Sequence, residues 1–244
     1  MLAVIRLLLL LLFIIVASVG GCLFCLLRPF HRDNTRFVAH LFGTMHRLLG
    51  LKLEIRVAPE AAQGGPFVYI ANHQNTYDIF TLARAMPANT VSIGKKSLKW
   101  IPFFGQLYWL SGNILIDRGH GGRARGTISQ AARAITKRQL SILLFPEGTR
   151  SYGRGLLPFK TGAARTALAA QVPLVPICVS NLHHKVNLNR WNNGVLLIEI
   201  LPPVMTSGYT AEQARELMDE CHQLMAAKIA ELDAEVEQRE RAKA

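Results

Sequence analysis

Phe67-Val68-Tyr69-Ile70-Ala71-Asn72-His73-Gln74-Asn75-Thr76-Tyr77-Asp78 decides the reading of this chain. Its unbroken apolar start, rich in β-branched and aromatic side chains, reads as a strand buried on both faces. The run ends on a histidine and an aspartate one short turn apart. Histidine is the side chain best suited to take a proton near neutral pH. A carboxylate within reach fixes its tautomer and stabilises its charged form. That spacing alone is common by chance, so its weight depends on the company it keeps.

The company is a series of similar runs. Strands are expected at 53–57, 67–71, 90–94, 113–117, 141–145, 174–180 and 195–201, and helices at about 77–86, 123–138, 160–170 and 210–238. The alternation predicts an α/β domain with a mixed, largely parallel sheet flanked by helices. Three more strands run into charged motifs. The strand at 90–94 leads to Lys95 and Lys96. That at 113–117 ends on Asp117 and leads to Arg118. That at 141–145 leads to Pro146-Glu147-Gly148-Thr149-Arg150-Ser151. Ligands of open α/β sheets bind at the carboxyl ends of the strands. If these strands are parallel, one edge gathers a base, carboxylates, cations and a glycine turn.

The cations predict an anionic substrate, because Arg offers a planar fork to phosphate and Lys a point charge. Lys95, Arg118 and Arg150 are the candidate phosphate clamp, with Lys96, Lys160 and Asn72 as secondary candidates. Lys160 is expected to open a helix whose amides favour anions. Glu147, Gly148 and Thr149 are candidates for positioning the substrate or holding the turn. A buried ion pair of Glu147 with Arg150 or Arg118 is the competing reading. Cys22 and Cys25 form a C-x-x-C inside an apolar run with no second ligand pair, so a metal site is not expected. No Gly-x-Ser-x-Gly, Walker or dinucleotide fingerprint occurs. The inventory suits a base and a phosphate clamp, with no cofactor, metal or covalent intermediate.

Charge is uneven along the 244 residues. Residues 1–208 carry 23 Lys+Arg against 7 Asp+Glu, and residues 209–244 carry 5 against 9. A basic body attracts anionic lipid headgroups, phosphorylated substrates, acidic proteins or nucleic acid. Aromatics are not interleaved with the basic residues, which argues against a nucleic-acid partner. Leu7 to Leu27 is free of charge and, as a helix, would span about 32 Å, near the thickness of a bilayer core. A retained anchor is expected rather than a cleaved signal, because the run is long and no small-x-small site follows it. Arg28, Arg32 and Arg36 outweigh Arg6 as flanks, which predicts a cytoplasmic face for the body. Phe37, Leu41, Met45 and Leu48 predict a second helix, either interfacial or core-facing. The expected division is therefore 1–50, a membrane anchor of one helix or a helical hairpin, and 51–244, the α/β domain. The charged end of the last helix, Glu235 to Lys243, reads as a solvated tail.

The motifs resemble those of the glycerolipid acyltransferase family. The chain carries Asn72-His73 with Asp78, Gly112 through Arg118, Phe145 through Ser151, and Val172-Pro173-Leu174-Val175-Pro176-Ile177, in the family's order. Gly94 through Leu98, Trp100 through Trp109 and Gly153 through Gly162 extend the resemblance to bacterial members. It implies a membrane-associated enzyme in which the sn-2 hydroxyl of lysophosphatidic acid attacks an acyl thioester of acyl carrier protein or coenzyme A, giving phosphatidic acid. His73 would be the base and Asp78 its orienting carboxylate, with membrane phospholipids as surroundings. Another lysolipid acceptor, or a noncatalytic lipid-binding role, are the remaining alternatives. The basic residues Arg123, Arg125, Arg133, Lys137 and Arg138 form either a carrier-docking face or a solvated helix face.

Overall fold

Strands form at all seven of the expected apolar runs. The computed structural model describes residues 1–116 and 121–242, and the side chains of 121–125 lie outside that description. In chain order the main elements are α1 (Leu2–Leu27), α2 (Asn34–Gly43), β1 (Lys52–Val57), α3 (Pro59–Ala62), β2 (Val68–Ala71), β3 (Thr90–Lys95), α4 (Phe104–Leu110), β4 (Ile114–Ile116), α5 (Gly121–Arg138), β5 (Ser141–Leu144), α6 (Gly162–Ala170), β6 (Leu174–Val179), β7 (Val195–Ile200) and α7 (Ala214–Arg241). The sheet order is β1-β7-β6-β2-β5-β3-β4. Every pairing is parallel except β6 with β7. The strands from β6 to β4 therefore share one carboxyl edge, which carries the charged motifs.

Side-chain alternation splits the core into two layers. Val68 and Ile70 face a cluster with Ala131, Ile135, Ala163, Leu217 and Cys221, from α5, α6 and α7. Tyr69 and Ala71 face a second cluster with Leu10, Cys25, Phe42 and Leu107, from α1, α2 and α4. The sheet is thus covered on both sides, as continuous apolar strands require.

Residues 1–50 are part of this second layer, which differs from their expected separation as an anchor. One stripe of α1, with Arg6, Leu10, Ala17, Gly21 and Cys25, is buried. The opposite face exposes Leu8, Leu12, Val16, Val19 and Leu23. Arg6 is no simple flank. It is 3% exposed and donates to the carbonyls of Leu188 (3.0 Å) and Arg190 (2.6 Å), and also to that of Trp191. A charge among apolar residues stays buried only with such partners. In α2 and the turn after it, Phe42 and Leu49 are buried while Phe37 is exposed. Leu41, Met45 and Leu48 are partly buried against the same cluster, so the helix is core-facing with Phe37 left at its outer border.

Residues 77–86 form two short 3-10 helices, Thr76–Ile79 and Leu82–Ala85, in place of the single helix expected. The Thr81 hydroxyl donates to the Tyr77 carbonyl at 3.1 Å. The amides here bond carbonyls three residues back, Phe80 to Tyr77 at 2.8 Å and Arg84 to Thr81 at 3.0 Å, which is the 3-10 pattern. The end of α7 is no solvated tail either. Arg56 bridges Glu54 and Glu235, Arg239 also binds Glu54, and Lys185 binds Glu240.

Arg6→Ala should remove the hydrogen bonds to the part-buried carbonyls of Leu188, Arg190 and Trp191, at about 1–3 kcal/mol. A Tm lower by several degrees in thermal unfolding is the expected outcome. Hydrogen bonds from Arg239 and Arg56 hold the Glu54 carboxyl at about 2, below its ordinary 4.5. Its contribution to stability is therefore complete above pH 4.5 and lost as pH falls towards 2. Partial exposure keeps that contribution small. The unfolding curves of wild type and Glu54→Gln should differ near neutral pH and converge in acid.

Candidate active site

The chain leaves β2 through a turn in which alternate side chains do opposite things. Asn72 and Gln74 point inward and pair with the backbone after β6. The Asn72 amide exchanges two bonds with Val179, each 2.9 Å. Gln74 donates to the Ser180 carbonyl at 2.8 Å and accepts from the Leu182 amide at 2.7 Å. His73 lies between them and faces outward, its side chain 20% exposed. Asn72, a secondary substrate-contact candidate by sequence, thus serves as a fastening of this turn.

His73 Nδ1 lies 2.6 Å from Asp78 Oδ2. A carboxylate only accepts, so neutral His73 carries its proton on Nδ1 and leaves the Nε2 lone pair free. The same Asp78 oxygen accepts from the amides of Gln74 (2.8 Å) and Asn75 (3.2 Å). Asp78 is itself buried, and Asn75 caps its 3-10 helix by accepting from the Tyr77 amide at 2.8 Å. The Phe145 ring stacks on the imidazole, with centroids 4.1 Å apart. Ring position, tautomer and carboxylate are therefore all set by local structure.

Glu147 acts through backbone amides, as a residue that holds the turn would. It is 4% exposed, and its oxygens accept from the His73 amide (2.7 Å) and the Leu157 amide (3.1 Å). It ties the histidine turn to the loop after β5. Burial pushes its carboxyl pKa upward, while the two amides pull it down. Gly148 has φ +72°, and a Cβ there would lie 2.7 Å from Lys160 Nζ. Glycine meets both the left-handed backbone and the close approach.

The cations lie along the same edge at different depths. Lys95 ends β3, with Lys96 beside it, and both are exposed. Lys95 is in register with Ile116, the residue before Asp117. Arg150 donates to Thr76 Oγ1 (3.3 Å) and the Tyr152 hydroxyl (3.1 Å), so it sits against the helix that bears Asp78. Thr149 is exposed. Lys160 reaches over Gly148 but does not begin the helix, since α6 starts at Gly162. As a β5–α6–β6 crossover, α6 still directs its N-terminus to this edge. Asp117 and Arg118, and the side chains of Arg123 and Arg125, lie outside the described residues. The fastening by Gln74, the Asn75 cap and the Phe145 stack were missed in the sequence. Asn75 three residues before Asp78 has the form of a capping box and was the available signal.

An oriented histidine–carboxylate pair beside cations, on the carboxyl edge of a parallel sheet, defines a site for activating a hydroxyl next to an anionic group. Residues 52–180 match the Acyltransferase family, and the chain belongs to that family. It is 52% identical over 240 residues to the 1-acyl-sn-glycerol-3-phosphate acyltransferase of Salmonella typhimurium, covering 98% of each chain. It is 50% identical over 242 residues to that of Escherichia coli, covering 99% of each. The human 1-acyl-sn-glycerol-3-phosphate acyltransferase alpha is 31% identical over 213 residues, which are 86% of this chain and 75% of the human one. The crystal structure of the 1-acyl-sn-glycerophosphate acyltransferase of Thermotoga maritima has the same fold, with a TM-score of 0.64, 23% identity and 98% coverage of both chains.

Glu147→Gln keeps the size but offers one acceptor to two amides. We expect a loss of about 1–3 kcal/mol in stability. A fall in turnover without a matching rise in KM would show that the turn, rather than substrate affinity, is affected.

Proposed function

We propose that this protein transfers a fatty acyl group from a thioester of acyl carrier protein or coenzyme A to the sn-2 hydroxyl of 1-acyl-sn-glycerol-3-phosphate, forming phosphatidic acid. The observation that carries the reading is the 2.6 Å contact of His73 with Asp78, in a chain about half identical to acyltransferases named for this reaction over nearly its whole length.

His73 Nε2 accepts the hydroxyl proton as the substrate oxygen attacks the thioester carbonyl. Asp78 holds the ring and balances the imidazolium. Collapse of the tetrahedral adduct breaks the carbon–sulfur bond, and the proton passes from His73 to the departing thiolate. No acyl-enzyme is formed. Positioned proton transfer of this kind is worth roughly 10²–10⁴-fold in rate. Lys95, Arg118 and Arg150 attract the substrate phosphate, with Lys96 and Lys160 adding to the field. The loop of Glu147, Gly148 and Thr149 shapes the space beside the base.

The membrane is the proposed location of both substrate and enzyme. The face of α1 that holds Leu8, Leu12, Val16, Val19 and Leu23 is an exposed aliphatic stripe along a helix whose other side is docked on the domain. That geometry favours a helix lying within one leaflet over one crossing the bilayer. The basic flank after Leu27 supports a cytoplasmic face of the inner membrane.

His73→Ala should lower acyl transfer by at least about 10²-fold with the unfolding temperature nearly unchanged. Turnover close to wild type would remove His73 from the base role. Arg118→Ala should raise the KM for lysophosphatidate. If it raises only the KM for the acyl thioester, Arg118 serves the donor instead. A panel of lysolipid acceptors with one labelled donor separates lysophosphatidate from other acceptors.

A further inference from the structure

A second group of cations lies at the opposite edge of the sheet. Arg28 follows α1, Arg36 lies on α2, and Arg84 lies on the 3-10 helix Leu82–Ala85. They line one cleft of about 450 Å³, with Phe37 and His40 in its wall and Asp33 at its rim. Its place follows from its neighbours. The Thr35 hydroxyl donates to the Ser111 carbonyl, just before β4. His40 Nε2 lies 3.0 Å from the Met86 carbonyl, just before β3. Both contacts are at the amino ends of strands whose carboxyl ends carry the catalytic edge.

The cleft is assembled by close packing. A Cβ on Gly43 would lie 2.8 Å from the backbone of Arg84, so α2 reaches Arg84 only because a glycine stands there. The Arg28 guanidinium sits 4.3 Å from the Phe24 ring, and the Phe24 and Phe37 rings are 4.4 Å apart. Arg28 Nε is buried without a hydrogen-bond partner among the described residues. Asp33, the carboxylate at the rim, faces His31 at 3.8 Å. Three arginines against one carboxylate leave a net positive cleft. Guanidinium groups suit phosphate oxygens. The aromatic wall and the exposed stripe of α1 beside it suit acyl chains better than water.

We propose that this cleft binds the phosphodiester of an anionic phospholipid, with the arginines on the phosphate and the acyl chains along Phe37 and the exposed face of α1. The site rests on the reading that α1 lies in a membrane surface. It is separate from the catalytic edge and does not require the acyl-transfer reaction. An anionic lipid bound there would hold the α1–α2 junction to the bilayer by a specific contact.

The test is a titration of the full-length protein, in zwitterionic detergent, with dihexanoyl phosphatidylglycerol. One saturable site is expected, at least about tenfold weaker in Arg36→Gln/Arg84→Gln, where both side chains are exposed, and weakened to a lesser degree in Arg36→Gln alone. Arg32→Gln, an exposed arginine outside the cleft, should leave the affinity unchanged. Unchanged binding in the double variant, or an equal loss in Arg32→Gln, overturns the proposal in favour of diffuse attraction. Displacement by inorganic phosphate at equal concentration overturns the lipid and makes this a free-phosphate site. Flotation of the wild type with vesicles of phosphatidylcholine alone tests α1 separately. Loss of flotation with the titration intact refutes the membrane reading, while flotation without saturable phosphatidylglycerol binding refutes the cleft.

Discussion

A strand buried on both faces must keep its backbone polar groups paired where its ladder ends. At the end of β2 this constraint shapes the site. Asn72 and Gln74 pair with the chain after β6, Glu147 takes the His73 amide, and Asp78 takes the amides of Gln74 and Asn75. Four polar side chains thereby fix a turn with no regular hydrogen-bond pattern. The imidazole is oriented by the same bonds that make the turn affordable to bury. The orientation of His73 and the stability of the turn are here one set of contacts, so a substitution such as Glu147→Gln is expected to touch both.

The same turn depends on strand direction. β2, β3, β4 and β5 are parallel, so their carboxyl ends bring His73, Lys95, Ile116 and Glu147 to one edge. The reversal occurs at β7, which runs antiparallel to β6 and parallel to β1. The ion pairs of Glu54 and Arg56 lie on that reversed strand β1, and they fasten the end of α7 rather than serving the site. Charged residues on the two kinds of strand thus carry different duties.

The inner strands were legible because a strand covered on both sides is a continuous apolar run, whereas the edge strand β1 alternates apolar residues with Glu54 and Arg56. Helices at the edges were less so. Trp100 through Trp109 is apolar except for Gly105 and Gln106, so periodicity could not separate α4 (Phe104–Leu110) from the turn before it. Residues 77–86 have helical spacing, but their amides bond carbonyls three residues back, so the segment forms two short 3-10 helices. His73 and Asp78 could be paired because three other strands also run into charged motifs, which a chance spacing would not explain. The role of Glu147 could not, because its partners are backbone amides from two distant segments, and backbone amides leave no trace in composition. Arg6 looked like a flanking charge for the same reason: its partners are carbonyls some 180 residues further on.

Those carbonyls connect the two ends of the argument. The segment between β6 and β7 receives Asn72 and Gln74 at Val179 to Leu182 and Arg6 at Leu188 to Trp191. Asn193 then closes it by donating to the Leu49 carbonyl at 2.7 Å. One loop therefore holds the catalytic turn on one side and the start of α1 on the other. The helix that presents an aliphatic face to its surroundings is not a tether on a flexible linker. It is bonded, through a single stretch of backbone, to the residues that aim His73. A substrate whose acyl chain stays in the membrane and whose hydroxyl must reach Nε2 needs such a fixed distance between the two.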